Sequence, residues 1–135
     1  MASSHFVPNL TIGATVVKWL RKAVGEVVYL DCHLMVSEPR KWIKDFADAG
    51  ASGYTIHIEA LSEGEVEETL REIRTAGMVP GIAIKPKTSI DQIKSLVEQH
   101  LVDLVCVMTV EPGFGGQSFM EDMMEKVRVR WEFPI

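Results

Sequence analysis

The stretch "TVEPGFGGQSF", Thr109 to Phe119, sets a proline and three glycines between an apolar run and "MEDMMEKV", whose spacing predicts a helix. Where a strand's carboxyl end feeds a helix's amino end, unpaired backbone N–H groups point outward and the helix dipole favours an anion. Glycines let such a backbone close on a phosphate with no Cβ in the way, and they allow positive φ. Gly113, Gly115 and Gly116 fall one short of the dinucleotide fingerprint, because Ser118 stands where the last glycine is required. The Gly-Lys-Ser/Thr ending of a P-loop is also lacking. A phosphate monoester on a small molecule fits this chemistry, and a glycine-rich turn without a ligand fits the spacing as well.

His33 is the second candidate. It lies within "DCHLMV", where period-two alternation places Asp31, His33 and Met35 on one face of a strand. If that face lines a barrel, an imidazole near the strand's carboxyl end can bind a metal or polarise a substrate. A histidine within a strand is more commonly a hydrogen-bonded core residue, and His57 in "TIHIEA" has the same ambiguity. Met35 and Met108 read first as core filler. Metal-ligand arithmetic gives one close pair, Asp31 with His33, where a site needs three or four donors.

These residues need elements to position them. Short β-branched runs alternate with amphipathic stretches: "VVYLDCHLMV", "GYTIHIE", "VPGIAIK" and "VDLVCVMTV" predict strands. Helices are predicted from Thr15, from a cap at Ser37, from a capping box at Ser62 and Glu65, and from a second box at Ser89 and Gln92. The strands recur roughly every 25 residues, the length of a compact strand-loop-helix-loop unit. Four such units imply parallel strands joined by right-handed crossovers and covered by helices. An open doubly wound sheet and part of a (β/α)8 barrel both satisfy that rhythm. A closed barrel takes about 250 residues, so a barrel reading makes this chain a partial one.

Composition limits the partners. Lys plus Arg number 14 against 19 Asp plus Glu, a net charge of −5, so no basic field points to nucleic acid. No apolar run approaches the roughly 20 residues of a membrane helix, and "MASSHFVPN" lacks the layout of a signal peptide. Cys32 and Cys106 sit in apolar segments without C-x-x-C spacing, which suits reduced thiols and a cytoplasmic location.

Five segments, "SHFVPNLTIG", "DCHLMVSEP", "IHIEA", "GIAIKPKTS" and "VMTVEPGFGGQSFMEDMMEKV", resemble the ribulose-phosphate 3-epimerase family in order and separation. The resemblance weakens after Arg128. It implies an α/β fold, a partial TIM (β/α)8 barrel of four parallel strands with flanking helices, corresponding to the family's strands three to six. Residues 1–135 would then form one partial ribulose-phosphate-binding domain. The family interconverts D-ribulose 5-phosphate and D-xylulose 5-phosphate in the pentose phosphate pathway. It uses a divalent cation (Fe, Zn, Mn or Co) held by two histidines and two aspartates, and the aspartates also act as acid and base.

Carried over by residue, the resemblance makes His33 the second metal histidine and a substrate-binding residue. It gives Gly113, Phe114, Gly115 and Gly116 the phosphate, and Met35 and Met108 the walls around the reacting carbon. It assigns no catalytic aspartate here. The first aspartate and first histidine belong to a His-x-Asp-x-Met-Asp-Gly motif where this chain has "MASS", and the second aspartate to an Asp-Gly-Gly motif beyond "WEFPI". The strand-one serine and the second phosphate loop are likewise outside it. Lys87 replaces the glycine usual in "KPGTS". The expectation is therefore a chain truncated at both ends relative to the family, bound to a phosphorylated pentulose but inactive alone. The alternative reading is a non-catalytic half-barrel that associates with a full-length epimerase or with a copy of itself.

Overall fold

The computed structural model describes residues 12–113 and 115–129. Helix α1 (Ala14–Val24) leads to strand β1 (Asp31–Leu34), and a 3₁₀ turn at Pro39–Trp42 runs into α2 (Ile43–Asp48). Strand β2 (Gly53–His57), a 3₁₀ turn at Ile58–Ala60 and α3 (Glu63–Thr75) follow, then β3 (Val79–Ile84), α4 (Asp91–Glu98) and β4 (Leu104–Val107). A last 3₁₀ turn, Glu121–Met123, precedes α5 (Met124–Val127). No helix among the described residues is long and apolar enough to cross a membrane.

All four strands are parallel in one sheet, in the order β1-β2-β3-β4. A doubly wound sheet reverses its order at a switch point, whereas a (β/α)8 barrel keeps sequence neighbours adjacent throughout. The observed order therefore selects the partial barrel, with β1 and β4 as its edges among the described residues.

Side-chain alternation divides the sheet into two faces. Cys32 and Leu34, Tyr54 and Ile56, and Ile82 and Ile84 form one face, buried with Phe46 of α2, Leu70 and Ile73 of α3, and Ile93 of α4. Asp31 and His33, Thr55 and His57, Gly81 and Ala83, and Cys106 share the other. Small residues on β3 are required there. A Cβ on Gly81 would stand 2.3 Å from the Thr55 hydroxyl and 3.2 Å from the Thr55 Cα. Cys32 and Cys106 are both free thiols, and burial pushes the Cys32 thiol up to about 11, so it stays protonated.

Three of the differences between the element boundaries and the sequence reading have a local reason. Strand β1 is four residues rather than the ten of "VVYLDCHLMV", because Arg21 of α1 captures the chain before it. Its guanidinium donates to the carbonyls of Gly25 (2.6 Å), Val28 (2.7 Å) and Gly50 (2.8 Å) and to Ser52 Oγ (2.8 Å). Ser37 caps nothing, because a residue preceding proline is kept from the helical region and Glu38 sits at φ −127°, ψ 69°. The Ser89–Gln92 box does not form; Ser89 Oγ accepts from the Asp91 N–H (3.3 Å) and α4 starts there. The Ser62–Glu65 pairing does form, with the Ser62 N–H donating to the Glu65 carboxylate at 3.0 Å.

Candidate active site

The carboxyl ends of the four strands share one rim, and the polar face of the sheet leads to it. His33 projects from β1 on the side opposite Cys32 and Leu34. Its ring stacks on that of His57, with centroids 4.9 Å apart and Nε2 to Nε2 at 2.8 Å. Burial, then the neighbouring His57, lowers the His33 imidazole to about 4 against a smaller opposing pull from Asp31, so the ring is neutral at physiological pH. Asp31 itself accepts from Thr55 Oγ1 at 3.2 Å.

Behind His57 stands Glu59, which the sequence reading did not single out. Its Oε2 lies 3.3 Å from His57 Nδ1. Its Oε1 accepts from the Lys85 N–H at 2.8 Å and from the Thr88 hydroxyl. Burial would push this carboxyl up, but the hydrogen bonds from His57, Thr88 and the Lys85 backbone outweigh it and hold it at about 2. The signal available in sequence was His-x-Glu at the end of a predicted strand, although Glu59 itself lies in the 3₁₀ turn Ile58–Ala60 just past β2. What could not be read is that the partners, Lys85 and Thr88, come from the next crossover.

The loop after β4 carries the glycines. Gly113 has φ 131° and Gly116 φ 76°, conformations that a side chain resists. Gly115 and Gly116 are exposed, and a Cβ on either would meet nothing within 4 Å. Gln117 Nε2 closes the loop on the Glu111 carbonyl at 2.6 Å, and the Met120 N–H donates to the Thr109 carbonyl at 2.9 Å. The expected helix does not follow directly, since residues 117–120 are non-helical and α5 is only four residues long. So short a helix supplies little dipole, and any anion held here would rely on the loop's own amides. Phe114 lies outside the described residues.

A cleft of about 570 Å³ runs along β1 and brings His33, Met35 and Gly113 together. Met108, Gly115 and Gly116 do not line it. Met108 is buried just past β4, with its N–H on the Ile84 carbonyl at 3.0 Å. Among the described residues no group of three or more His, Cys, Asp or Glu side chains is arranged to hold a metal ion. These residues do not by themselves fit a divalent-cation site.

A model of the ribulose-phosphate 3 epimerase family matches residues 1–133. The chain belongs to that family. It is 52% identical over 132 residues to the ribulose-phosphate 3-epimerase, cytoplasmic isoform, of Oryza sativa subsp. japonica, covering 96% of this chain and 57% of the rice protein. Against the ribulose-phosphate 3-epimerase of Schizosaccharomyces pombe it is 47% identical over 133 residues, 97% of this chain and 57% of the relative. The Rhodobacter capsulatus enzyme is 47% identical over 124 residues, 92% of this chain and 51% of that protein. The chain thus spans between 51% and 57% of the length of these relatives.

Membership gives the Lys87 departure a test. Lys87 is exposed in a turn closed by the Thr88 N–H on the Lys85 carbonyl at 3.1 Å, and it is not among the residues of positive φ. The turn therefore accepts a lysine without backbone strain. Lys126 Nζ of α5 reaches the Pro86 and Thr88 carbonyls and holds this loop from the other side.

Proposed function

We propose that these 135 residues contribute the phosphate-holding and histidine-bearing part of an epimerase site acting on a phosphorylated pentulose, with D-ribulose 5-phosphate and D-xylulose 5-phosphate as its two partners. The family match along residues 1–133 carries this reading. The shared cleft of His33, Met35 and Gly113 supports it. Gly113, Gly115 and Gly116 offer amides to the phosphate, Met35 and Met108 offer apolar walls near the reacting carbon, and His33 offers one imidazole donor toward a divalent cation. The rice relative's designation as a cytoplasmic isoform favours the cytoplasm.

Inverting a carbon beside a carbonyl takes a base on one face and an acid on the other. By family resemblance that work falls to two aspartates, and neither has a counterpart in the segments that match here. The 135 residues alone are therefore expected to bind without turnover. Incubated with D-ribulose 5-phosphate and Zn²⁺ or Co²⁺, they should yield no more D-xylulose 5-phosphate than a protein-free control. Added D-ribulose 5-phosphate should meanwhile shift the amide resonances of Gly113, Gly115 and Gly116. Turnover above the control overturns the inactivity, and unmoved glycine resonances overturn the phosphate cradle.

A second reading, association with a copy of itself or with a full-length epimerase, draws on the edges of the sheet. Among the described residues, strands β1 and β4 each pair on one side only, and Trp19, Leu20 and Tyr29 are exposed. Light scattering on purified chain should give a mass above that of one chain, or its mixture with a full-length epimerase a species heavier than the epimerase alone. A monomeric chain alone, together with an epimerase mass unchanged on mixing, removes this reading.

A further inference from the structure

The loop that carries Gly113, Gly115 and Gly116 rests at both ends on one segment, Ile84 to Thr88, between β3 and α4. On the incoming side the Met108 N–H donates to the Ile84 carbonyl at 3.0 Å. On the outgoing side Lys126 Nζ of α5 donates to the Pro86 carbonyl at 2.5 Å and to the Thr88 carbonyl at 2.7 Å. Alternate carbonyls of a single segment thus receive both arms of the loop. We propose that Lys126 is a positioning residue for the phosphate site, acting through α5 rather than on the anion to fix the span across which the glycine amides are held.

Helix α5 needs such an anchor, because four residues do not hold a helix by backbone hydrogen bonds alone. Met123 and Lys126 are three positions apart, a spacing that puts them on one side of the turn. Met123 is buried and Lys126 half-buried, while Val127 is exposed. From there back to the glycines the chain is closed by short-range bonds. The Met123 N–H donates to the Met120 carbonyl at 3.2 Å, and the Met120 N–H donates to the Thr109 carbonyl at 2.9 Å across the base of the loop. The receiving segment is itself held, since the Lys85 N–H and the Thr88 hydroxyl donate to Glu59. Glycines such as Gly113 at φ 131° and Gly116 at φ 76° have many other conformations open to them, so fixed ends decide where their amides point. A lysine suits this task, because its ammonium aims several donors at neutral carbonyls in charge-assisted bonds.

The proposal rests on the phosphate reading, and one arm of its test does not. In that arm, ¹⁵N relaxation on the labelled full chain without ligand should give ordered Gly115 and Gly116 amides in wild type and order parameters below about 0.6 in Lys126→Met. Amides of β2 and α3 should keep their wild-type values. In the other arm, sodium phosphate titrated against the Gly113, Gly115 and Gly116 amides should bind Lys126→Met about tenfold more weakly than wild type. The weakening should persist at about 0.5 M NaCl, where a lost charge acting at long range is screened. Lys126→Arg keeps the charge and has N–H donors for both carbonyls, so it should restore both readouts.

A lysine that merely stabilised the fold would lower the urea midpoint of Lys126→Met and leave Gly115 and Gly116 as ordered and as responsive as in wild type. That result overturns the proposal. A weakening that vanishes at high salt overturns it as well, because it assigns the effect to charge. Wild-type glycine amides unmoved by phosphate strike the phosphate reading instead, and the relaxation arm then decides by itself whether Lys126 fixes the loop. Should Lys126→Met fail to fold, Lys126→Gln, with a shorter stem and a neutral amide, takes its place in both arms with the same losses expected.

Discussion

Truncating Tyr54 to alanine is expected to destabilise the chain by about 4 kcal/mol, against a total of about 5–15 kcal/mol for an ordinary domain. Tyr54 is the largest of the fully buried side chains among the described residues, on the second strand of a four-stranded sheet. Its ring meets Phe46 edge-on with centroids 5.6 Å apart. Its hydroxyl donates to the Pro39 carbonyl at 2.9 Å, and burial pushes the phenol up, so that donor is permanent. Alanine would open a cavity between β2 and α2 and leave the Pro39 carbonyl without that donor. Tyr54→Phe keeps the packing and removes only the hydrogen bond, for an expected loss of about 1 kcal/mol. Urea melts of the three proteins measure both numbers. An alanine variant as stable as the phenylalanine one would show that the β2–α2 contact contributes little.

Interactions across strands were the part of this molecule hidden from its sequence. The run "VPGIAIK" announced β3 because its residues are apolar on both faces, as a strand covered on both sides must be. The choice between an open doubly wound sheet and a barrel stayed open, since spatial strand order is set by pairings such as Asp31 with Gly53 and Gly81 with Leu104, which no local pattern encodes. His33 was legible as a candidate from its type and face. Its partner Glu59 was not, because that carboxylate gains its role from Lys85 and Thr88, 26 and 29 residues further along. The start of α2 failed for the opposite reason: Ser37 obeys the capping statistics, and Pro39 overrides them. The glycine loop was read correctly as punctuation after β4, while the short helix behind it weakens the dipole argument that first gave those glycines an anion.

The same carboxylate sets the second large effect, on stability in acid. Glu59 is held at about 2 in the folded chain, below the ordinary 4.5. A carboxyl depressed by folding contributes fully above its unfolded value and loses that contribution as pH falls through its folded one. Its contribution is about 3 kcal/mol at neutral pH, present above about pH 4.5 and gone near pH 2. Its side chain is only 18% exposed, so solvent screening removes little of this. Glu59→Ala should therefore be less stable than wild type by about 3 kcal/mol at pH 7, and the two urea midpoints should converge as the pH is taken from 4.5 toward 2. The alternative is that Glu59 matters only by filling space at the rim, in which case the gap between wild type and variant would be the same at pH 7 and pH 3. Parallel melts at those two pH values separate the explanations, because packing does not titrate and the hydrogen bonds from Lys85, Thr88 and His57 to an ionised carboxylate do.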